Sequence, residues 1–292
     1  MSTSILRTAD AWWVSTPDGA RKVDTTARTT GELLTGPIVA TGEPVPVADL
    51  KLVSPITVPC RVIAQMTNYV SHVRDAGLNP KTVPLTFFRK SSGSISGPHD
   101  DIVKPSHVRL LDYEAEIGLV IGAHNEVAGL VITNDVSARD LQLPKTQFYE
   151  SKSYPTFTPA GPVLVLLDHG DLDWFGDLRL RLWVNGELRQ DMTAADMIYP
   201  PHQALRALAR FQRLDPGDLV LTGTPVGTAL SAPPKPVELI GSLLPAATKW
   251  RMFFKSQARN PKYLKDGDVV EIAVGTDDGK LDLGRQRTVV KA

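Results

Sequence analysis

The alternation of hydrophobic and polar positions along this chain predicts a protein built mainly of β-strands. Apolar and polar residues alternate over 179–184, and the Asn-Gly pair at 185–186 that follows is the strongest short signal for a β-hairpin. A Thr-Pro-Asp-Gly turn at 16–19 between two apolar runs predicts another hairpin near the N-terminus. Asp- and Gly-containing turns at 215–218 and 265–268 each precede an apolar run typical of a buried strand.

Helical patterns are fewer, so the sequence predicts an α+β fold that is mostly β. Residues 202–214 carry apolar side chains on one side and arginines elsewhere, which predicts an amphipathic helix after two prolines. We interpret 1–55 as a small N-terminal domain or arm and 56–292 as the main domain. Within it, 231–261 is Pro-rich and then basic and aromatic, which predicts an elaborated loop with one helix. That segment either packs on the body or a partner subunit, or covers a site as a lid.

Composition and charge narrow the class of partner. The chain has 292 residues, 32 Lys plus Arg and 32 Asp plus Glu, so the formal net charge is zero. This balance gives no support for nucleic-acid binding or for attachment to a membrane surface. Cys60 is the only cysteine, which rules out an intrachain disulfide and fits a reducing compartment. Because the chain shows neither a leader pattern nor an apolar run of about 20 residues, we predict a cytoplasmic protein.

Three carboxylates at the ends of two apolar runs predict a metal site. Glu114 and Glu116 are two residues apart at the start of the run 117–121, so in a strand they project from the same face. Asp135 follows the next apolar run, 129–133. Burying unpaired like charges together is costly, and a shared divalent cation offsets that cost. Without a nearby cysteine, the oxygen ligands favour Mg²⁺, Mn²⁺ or Ca²⁺.

Three further side chains could carry chemistry. If the segment around His72 is helical, Asp75 lies one turn away and could orient the imidazole as a general base, although such pairs are also common on surfaces. Lys152 could stabilise an oxyanion or enolate beside a metal, although alone it resembles an ordinary solvated lysine. Thr224 lies in a Gly-containing strand end that could approach an anionic ligand or could simply form a turn.

The chain resembles the fumarylacetoacetate hydrolase family from about residue 59 to the C-terminus. The motifs that carry the resemblance occur in the family's order: Asn68-Tyr69-x-x-His72, Asp112-Tyr113-Glu114-Ala115-Glu116, Asn134-Asp135-Val136-Ser137-Ala138-Arg139-Asp140-Leu141-Gln142, Lys152-Ser153 and Leu221-Thr222-Gly223-Thr224-Pro225. The resemblance implies a rolled, mixed β-sheet core, a homodimer and a site for Mg²⁺ or Mn²⁺, with Ca²⁺ as an alternative.

The resemblance also implies a role for each matching residue. The implied metal ligands are Glu114, Glu116 and Asp135, and the implied catalytic residues are His72, Asp75 and Lys152. The implied substrate-binding residues are Tyr69, Arg139, Gln142 and Thr224. The sequence departs from the family pattern at Asp75, where a longer Glu is usual, and at Met66, where a Gly is usual. It also departs over 228–264, an extended insertion where the family has a short link.

These features together predict a divalent-metal-dependent hydrolase that cleaves a carbon–carbon bond of a β-dicarbonyl acid such as an acylpyruvate. In this hypothesis His72, oriented by Asp75, activates the attacking water, and Lys152 stabilises the negative charge that develops. The alternative is a 2-oxo acid tautomerase, isomerase or decarboxylase on the same metal, which needs no attacking water and tolerates a weak His72–Asp75 pair. A non-catalytic scaffold is a further alternative, against which the buried carboxylates argue.

Overall fold

The computed structural model describes residues 2–145, 147–168, 171–230 and 245–292. In these ranges the β-strands, numbered in chain order, are β1 (Thr3–Arg7), β2 (Trp12–Thr16), β3 (Gly19–Val23), β4 (Ala40–Val45), β5 (Val62–Gln65), β6 (Phe87–Lys90), β7 (Ile95–Ser96), β8 (Ile102–Val103), β9 (Leu111–Asp112), β10 (Ala115–Ile121), β11 (Val127–Asn134), β12 (Ser137–Ala138), β13 (Thr158–Leu166), β14 (Leu178–Val184), β15 (Glu187–Thr193), β16 (Leu219–Leu221), β17 (Val269–Thr276) and β18 (Asp282–Lys291). The α-helices are α1 (Thr30–Thr35), α2 (Val70–Asp75), α3 (Arg139–Gln142), α4 (Pro201–Leu208) and α5 (Ala246–Gln257).

Two large mixed sheets form the body of the protein. The larger sheet has the strand order β4-β3-β2-β1-β13-β11-β10-β16-β5-β6, with β7 added beside β13. The smaller sheet has the order β15-β14-β17-β18-β8, and β12 pairs with β9 separately. Most pairs are antiparallel, but β16 and β5 run parallel, as do β18 and β8. The predicted α+β fold, mostly β and built of mixed sheets, is therefore confirmed.

The larger sheet is buried on both faces around its central strands. In β10, Ile117, Leu119 and Ile121 pack into a core shared with the smaller sheet, while Val120 packs into a second core on the other face. This explains why β10 is buried at every position, whereas β14 alternates buried and half-buried positions. A carboxylate on β10 is consequently held in the interior rather than at a solvated edge.

Several local predictions are confirmed by the strand pairing. Turns at 17–18 and 185–186 join β2 to β3 and β14 to β15, and both pairs are antiparallel hairpins. Both turn residues at 185–186 have positive φ, +52° and +79°, as an Asn-Gly hairpin turn requires. The amphipathic helix predicted over 202–214 is shorter, because α4 ends at Leu208. Phe211 is 71% exposed, so the buried apolar face of the helix does not continue beyond that point.

The N-terminal strands extend the larger sheet, because β1 pairs with β2 on one side and with β13 on the other. The domain boundary at residue 55 and the homodimer stay predictions. Of the predicted insertion 228–264, residues 231–244 lie outside the described residues, and α5 lies within them. Among the described helices, none is long and apolar enough to cross a membrane.

Candidate metal centre and active site

Two neighbouring strands bring the three predicted metal ligands together. Glu116 lies in β10, Glu114 immediately precedes that strand, and Asp135 immediately follows β11. The register pairs Ala115 with Asn134, so the two strand ends meet, and the Asp135 N–H donates to the Glu114 carbonyl at 2.9 Å. One carboxylate oxygen from each residue lies within 4.8 Å of the others. All three side chains are buried.

The charges around these carboxylates are distributed unevenly. Lys152 Nζ donates to Glu114 and, at 2.6 Å, to Asp135. Burial alone would raise the pKa of Glu114, but the Arg139 guanidinium and the Lys152 ammonium outweigh it and hold that pKa below its usual range. Burial alone would lower the pKa of Lys152, but the carboxylates of Asp135 and Glu114 outweigh it. The pKa of Lys152 is therefore raised, and the side chain is an ammonium ion.

Glu116 is the carboxylate without a cation bonded to it in the described structure. Its Oε2 accepts a hydrogen bond from the Gly223 N–H at 2.7 Å. Burial raises its pKa well above the usual range, and repulsion from Asp135 and Glu114 raises it further. A buried carboxylate that is costly to ionise, next to two others, is the environment that a divalent cation relieves. The donor set of three carboxylates therefore fits a hard cation that prefers oxygen ligands.

His72 reaches the cavity, but it is not joined to Asp75. Both residues lie on α2 as predicted, yet His72 is half-buried and Asp75 is exposed. Within the described residues, His72 Nδ1 is a buried atom without a hydrogen-bond partner. Burial lowers the pKa of His72 despite the opposing effect of Glu114, which favours the neutral imidazole. Among the described residues, His72 is therefore a base that no carboxylate holds by a hydrogen bond.

Arg139 is held by a network of buried acceptors. Its Nε donates to Asp112 at 2.8 Å, one terminal nitrogen donates to Gln142 at 2.7 Å, and the other donates to Glu114. Asp112 also accepts the backbone N–H groups of Ala229 and Leu230, at 2.7 Å and 3.1 Å. The guanidinium is therefore fixed in the cavity wall, where the N–H groups left over from these bonds can meet an anionic ligand.

The other two residues predicted to bind substrate differ in their access to the cavity. Thr224 lines it, but its hydroxyl donates to the Ala115 carbonyl at 2.9 Å and accepts from Gln190 at 2.9 Å. Tyr69 is fully buried, and its hydroxyl has no partner among the described residues. Burial, together with Glu116 and Asp196, raises the pKa of Tyr69, so its hydroxyl stays protonated. The two hydrogen bonds of the Thr224 hydroxyl, by contrast, join it to Ala115 and Gln190 rather than to a ligand.

Comparison with known proteins identifies the family. Residues 61–291 match the sequence model of the fumarylacetoacetate (FAA) hydrolase C-terminal family. This protein belongs to the fumarylacetoacetate hydrolase family. The family predicted from the sequence motifs is thereby confirmed, and the protein is called a fumarylacetoacetate hydrolase family member below.

Relatives of this family member carry more than one activity in their names. The oxaloacetate tautomerase YisK of Bacillus subtilis is 33% identical over 148 residues, which cover 51% of this chain and 40% of YisK. A probable 2-hydroxyhepta-2,4-diene-1,7-dioate isomerase of Mycobacterium abscessus superposes with a TM-score of 0.74 at 29% identity, covering 100% of this chain and 98% of that one. A fumarylacetoacetate hydrolase of Exiguobacterium antarcticum gives 0.73 at 26% identity, with 100% of each chain covered.

The cavity of this family member is small and leads to a larger open groove. The cavity encloses about 160 Å³, and its lining includes the three carboxylates together with His72, Arg139, Gln142, Lys152, Thr224 and Leu230. Met66, Phe88 and Phe148 line both this cavity and an adjoining groove of about 540 Å³. Met66, which departs from the family pattern, therefore lies where the cavity meets the groove.

Lys90 and Gln65 also lie at this site, and no sequence pattern predicted either residue. Lys90 is buried at the end of β6, where its Nζ donates to Asp135 and, at 2.8 Å, to the Phe157 carbonyl. Burial lowers the pKa of Lys90 against the opposing effect of Asp135. Asp135 thus has a lysine on each oxygen, Lys90 on Oδ1 and Lys152 on Oδ2. Apolar and polar residues do not alternate over 87–90, so the local pattern does not indicate that Lys90 is buried.

Gly223 supports the carboxylate cluster through its backbone N–H, which donates to Glu116, and we expect Gly223→Ala to be destabilising. Its φ is +87°, and an added Cβ would lie 2.8 Å from the Asn68 Cβ. The Asn68 side chain cannot easily move, because it donates to the Tyr199 and Thr222 carbonyls. We expect thermal unfolding to show a loss of about 2–4 kcal/mol, with weaker divalent-cation binding as the hydrogen bond to Glu116 is displaced.

Gly267→Ala is the matched control for this prediction. Gly267 has a φ of +83°, but no atom lies within 4 Å of an added Cβ. This substitution carries only the backbone cost of about 1–2 kcal/mol and should leave cation binding unchanged. Equal losses of stability in the two variants would contradict the close packing argued for Gly223.

Proposed function

We propose that this protein is a divalent-cation-dependent 2-oxo acid tautomerase that interconverts the keto and enol forms of an oxaloacetate-like acid. The observation that carries the proposal is the charge and the hydrogen bonding of Lys152 and His72 in the cavity. The ammonium of Lys152 lies against the carboxylate cluster, while burial lowers the pKa of His72, which has no hydrogen bond to Asp75 among the described residues. Proton transfer through an enolate needs a base and a cation beside it, but no oriented dyad to activate water.

The proposed reaction uses this chain's own residues in distinct roles. Arg139 binds the substrate carboxylate with the N–H groups not used by Asp112, Glu114 and Gln142. The imidazole of His72 accepts the proton from C3, the electron pair of that C–H bond forms the C2–C3 double bond, and the 2-oxo oxygen becomes the enolate oxygen. Lys152 stabilises the charge on that oxygen, which then takes a proton from the His72 imidazolium to give the enol and restore the neutral imidazole.

A divalent cation held by Glu114, Glu116 and Asp135 would add Lewis-acid polarisation of the 2-oxo group. The proposed cation is Mg²⁺ or Mn²⁺, because both accept the oxygen donors present and tolerate a site that retains ligand positions for water or substrate. The names of the relatives support enol chemistry, since both a tautomerase and an isomerase are among them.

A second candidate function is hydrolysis of a carbon–carbon bond in an acylpyruvate-like acid, as the sequence analysis predicted. The observation that favours it is the groove beyond Met66, Phe88 and Phe148, which could accommodate an acyl group too large for the cavity. The structural likeness to a fumarylacetoacetate hydrolase also supports it. In this case His72 would activate water, and closure around the substrate would have to bring Asp75 to it.

Asp75→Asn separates the two functions. Since Asp75 is exposed and does not hydrogen-bond to His72, we expect the rate of oxaloacetate tautomerisation to stay within about threefold of the wild-type rate. A hydrolase that depends on the dyad would instead lose about 10²-fold. The measurement is the relaxation of enol absorbance after mixing with Mg²⁺- or Mn²⁺-loaded protein, with chelator as the blank. Acylpyruvates are assayed in parallel for release of two acids.

His72→Ala completes this comparison, because it should slow either reaction by about 10²–10³-fold. If acylpyruvates are cleaved to two acids and oxaloacetate relaxes no faster than in the blank, the tautomerase proposal is wrong and the hydrolase takes its place.

A further inference from the structure

Gln65 is a buried side chain with an unused hydrogen-bond donor in the wall of the cavity. It ends β5, is 2% exposed, and lines the cavity together with Glu116 and Gly223. Within the described part of the chain, its Nε2 has no hydrogen-bond partner. Native structures rarely leave a buried amide N–H unpaired, so an uncommitted donor facing a cavity indicates a ligand acceptor.

The turn that follows Gln65 is strained in a way that points to the same cavity. Thr67 has a φ of +51°, which is uncommon for a β-branched residue, and it also lines the cavity. In the part of the chain that the structure describes, the segment from Gln65 to His72 carries two buried nitrogens without hydrogen-bond partners, Gln65 Nε2 and His72 Nδ1, on either side of this turn. Backbone strain that persists beside a binding cavity is consistent with a functional constraint on that turn.

The cationic donors of the cavity are partly engaged with protein acceptors. Arg139 donates to Asp112, Glu114 and Gln142, and Lys152 donates to Glu114 and Asp135. Gln65 comes from a different part of the fold and shares none of these acceptors. Its amide can therefore recognise a different oxygen of the substrate from the one held at the cationic side.

Gln65 also lies where the cavity opens into the groove. Its partner in the strand register is Phe87, which lines the groove, and the next residue, Met66, lines both spaces. Further along, the groove is lined by Arg89 and Tyr149, both exposed. A substrate that has its 2-oxo carboxylate at Arg139 would pass Gln65 before its remaining atoms reach the groove.

Building on the proposed function, we propose that Gln65 determines specificity by donating a hydrogen bond to the oxygen on the fourth carbon of the substrate. In a 2-oxo-1,4-dicarboxylic acid this oxygen belongs to the distal carboxylate, and in a 2,4-dioxo acid it belongs to the second ketone. Substituents beyond the fourth carbon then enter the groove. A site with a buried donor discriminates strongly against ligands that lack the matching acceptor.

The experiment compares a ligand that has a fourth carbon with one that does not. Oxalate offers two adjacent carboxylates and stops there, so it can occupy the side of Arg139 without reaching Gln65. In Gln65→Leu we expect KM for oxaloacetate to rise about 10–100-fold, while the inhibition constant of oxalate stays within about twofold and kcat falls less than KM rises. Gln65→Met has a side chain of similar length, repeats the test and guards against misfolding of the leucine variant.

Gln286→Leu is the matched control, because Gln286 is a buried glutamine with an unpartnered Oε1 that does not line the cavity. It should lower thermal stability without changing either constant. If Gln65→Leu weakens oxalate and oxaloacetate equally, or changes neither, the proposed contact to the fourth carbon is wrong.

Failure of the tautomerase proposal would be visible separately, as a wild-type protein that does not accelerate oxaloacetate relaxation. In that event calorimetric binding of 2,4-dioxopentanoate and of oxalate to the metal-loaded variants replaces the kinetic constants. The proposal for Gln65 then requires selective weakening of 2,4-dioxopentanoate, and a parallel change in both ligands overturns it.

Discussion

Lys152→Met is expected to lower turnover by about 10²–10³-fold while the protein still binds a divalent cation. Loss of one preorganised group that stabilises developing charge typically has this effect on rate. The ammonium of Lys152 donates to both Glu114 and Asp135, so it competes with a cation for their oxygens. Its removal should therefore leave the cation affinity unchanged or higher. Turnover is followed by enol absorbance and cation binding by calorimetry.

The metal-free form of this variant should also be less stable than the metal-free wild type. Removing one partner of a buried ion pair leaves uncompensated charge and costs about 3–5 kcal/mol, which a bound cation would restore. Lys145→Met is the control, because Lys145 pairs with Glu150 in an exposed position on the same loop. A Lys152→Met protein that binds the cation and keeps turnover within tenfold of wild type would contradict the role assigned to this lysine.

Glu116→Gln is expected to abolish cation-dependent stabilisation and to lower turnover about 10³-fold, since Lewis-acid polarisation contributes several kcal/mol to such reactions. The amide keeps the size of the side chain and can still accept from the Gly223 N–H. It removes the charge that is repelled by Asp135 and Glu114. The metal-free variant should therefore unfold at a higher temperature than the metal-free wild type.

The difference in stability between metal-free Glu116→Gln and metal-free wild type should depend on pH, and the sign follows from the pKa of Glu116. The pKa of Glu116 is raised in the folded state above the ordinary carboxyl value of about 4.5. The contribution of Glu116 to the free energy of unfolding is therefore fully present below that value, and it is lost as pH rises toward the raised pKa. The stability advantage of metal-free Glu116→Gln should consequently grow as pH increases above that point. Glu126→Gln, at an exposed position between β10 and β11, should show neither effect. An undiminished cation-dependent rise in unfolding temperature in Glu116→Gln would rule out Glu116 as a ligand.

The carboxylate cluster could be predicted from the sequence because its signals are local. Two apolar runs end in carboxylates, the alternation of β10 puts Glu114 and Glu116 on one face, and the connection between the runs is short enough for an antiparallel pair. The resemblance of the motifs around Arg139 and Lys152 to the family predicted the cationic residues of the site. Both residues contact carboxylates that lie within about forty residues of them along the chain.

Lys90 and Gln65 could not be predicted in the same way, because they enter the site through long-range pairing. Gln65 reaches the cavity through β5, which is joined to β10 only by way of β16. For His72 and Asp75, the helical spacing was correct, but the packing of α2 turns one toward the cavity and leaves the other in solvent. Spacing predicts which residues are neighbours on a helix, whereas tertiary packing determines which of them is exposed.

The placement of the carboxylates on central strands has a consequence for how the site fluctuates. Strands β10 and β11 each have a hydrogen-bonded neighbour on both sides within the larger sheet, so the exchange of their backbone amides should require global unfolding. Lys152 ends a short 3₁₀-helix and Leu230 lies in an irregular segment, so their amides should exchange through small local openings. The backbone that carries the carboxylates should therefore stay fixed until the protein unfolds globally. The segment that carries Lys152 should move locally on shorter timescales.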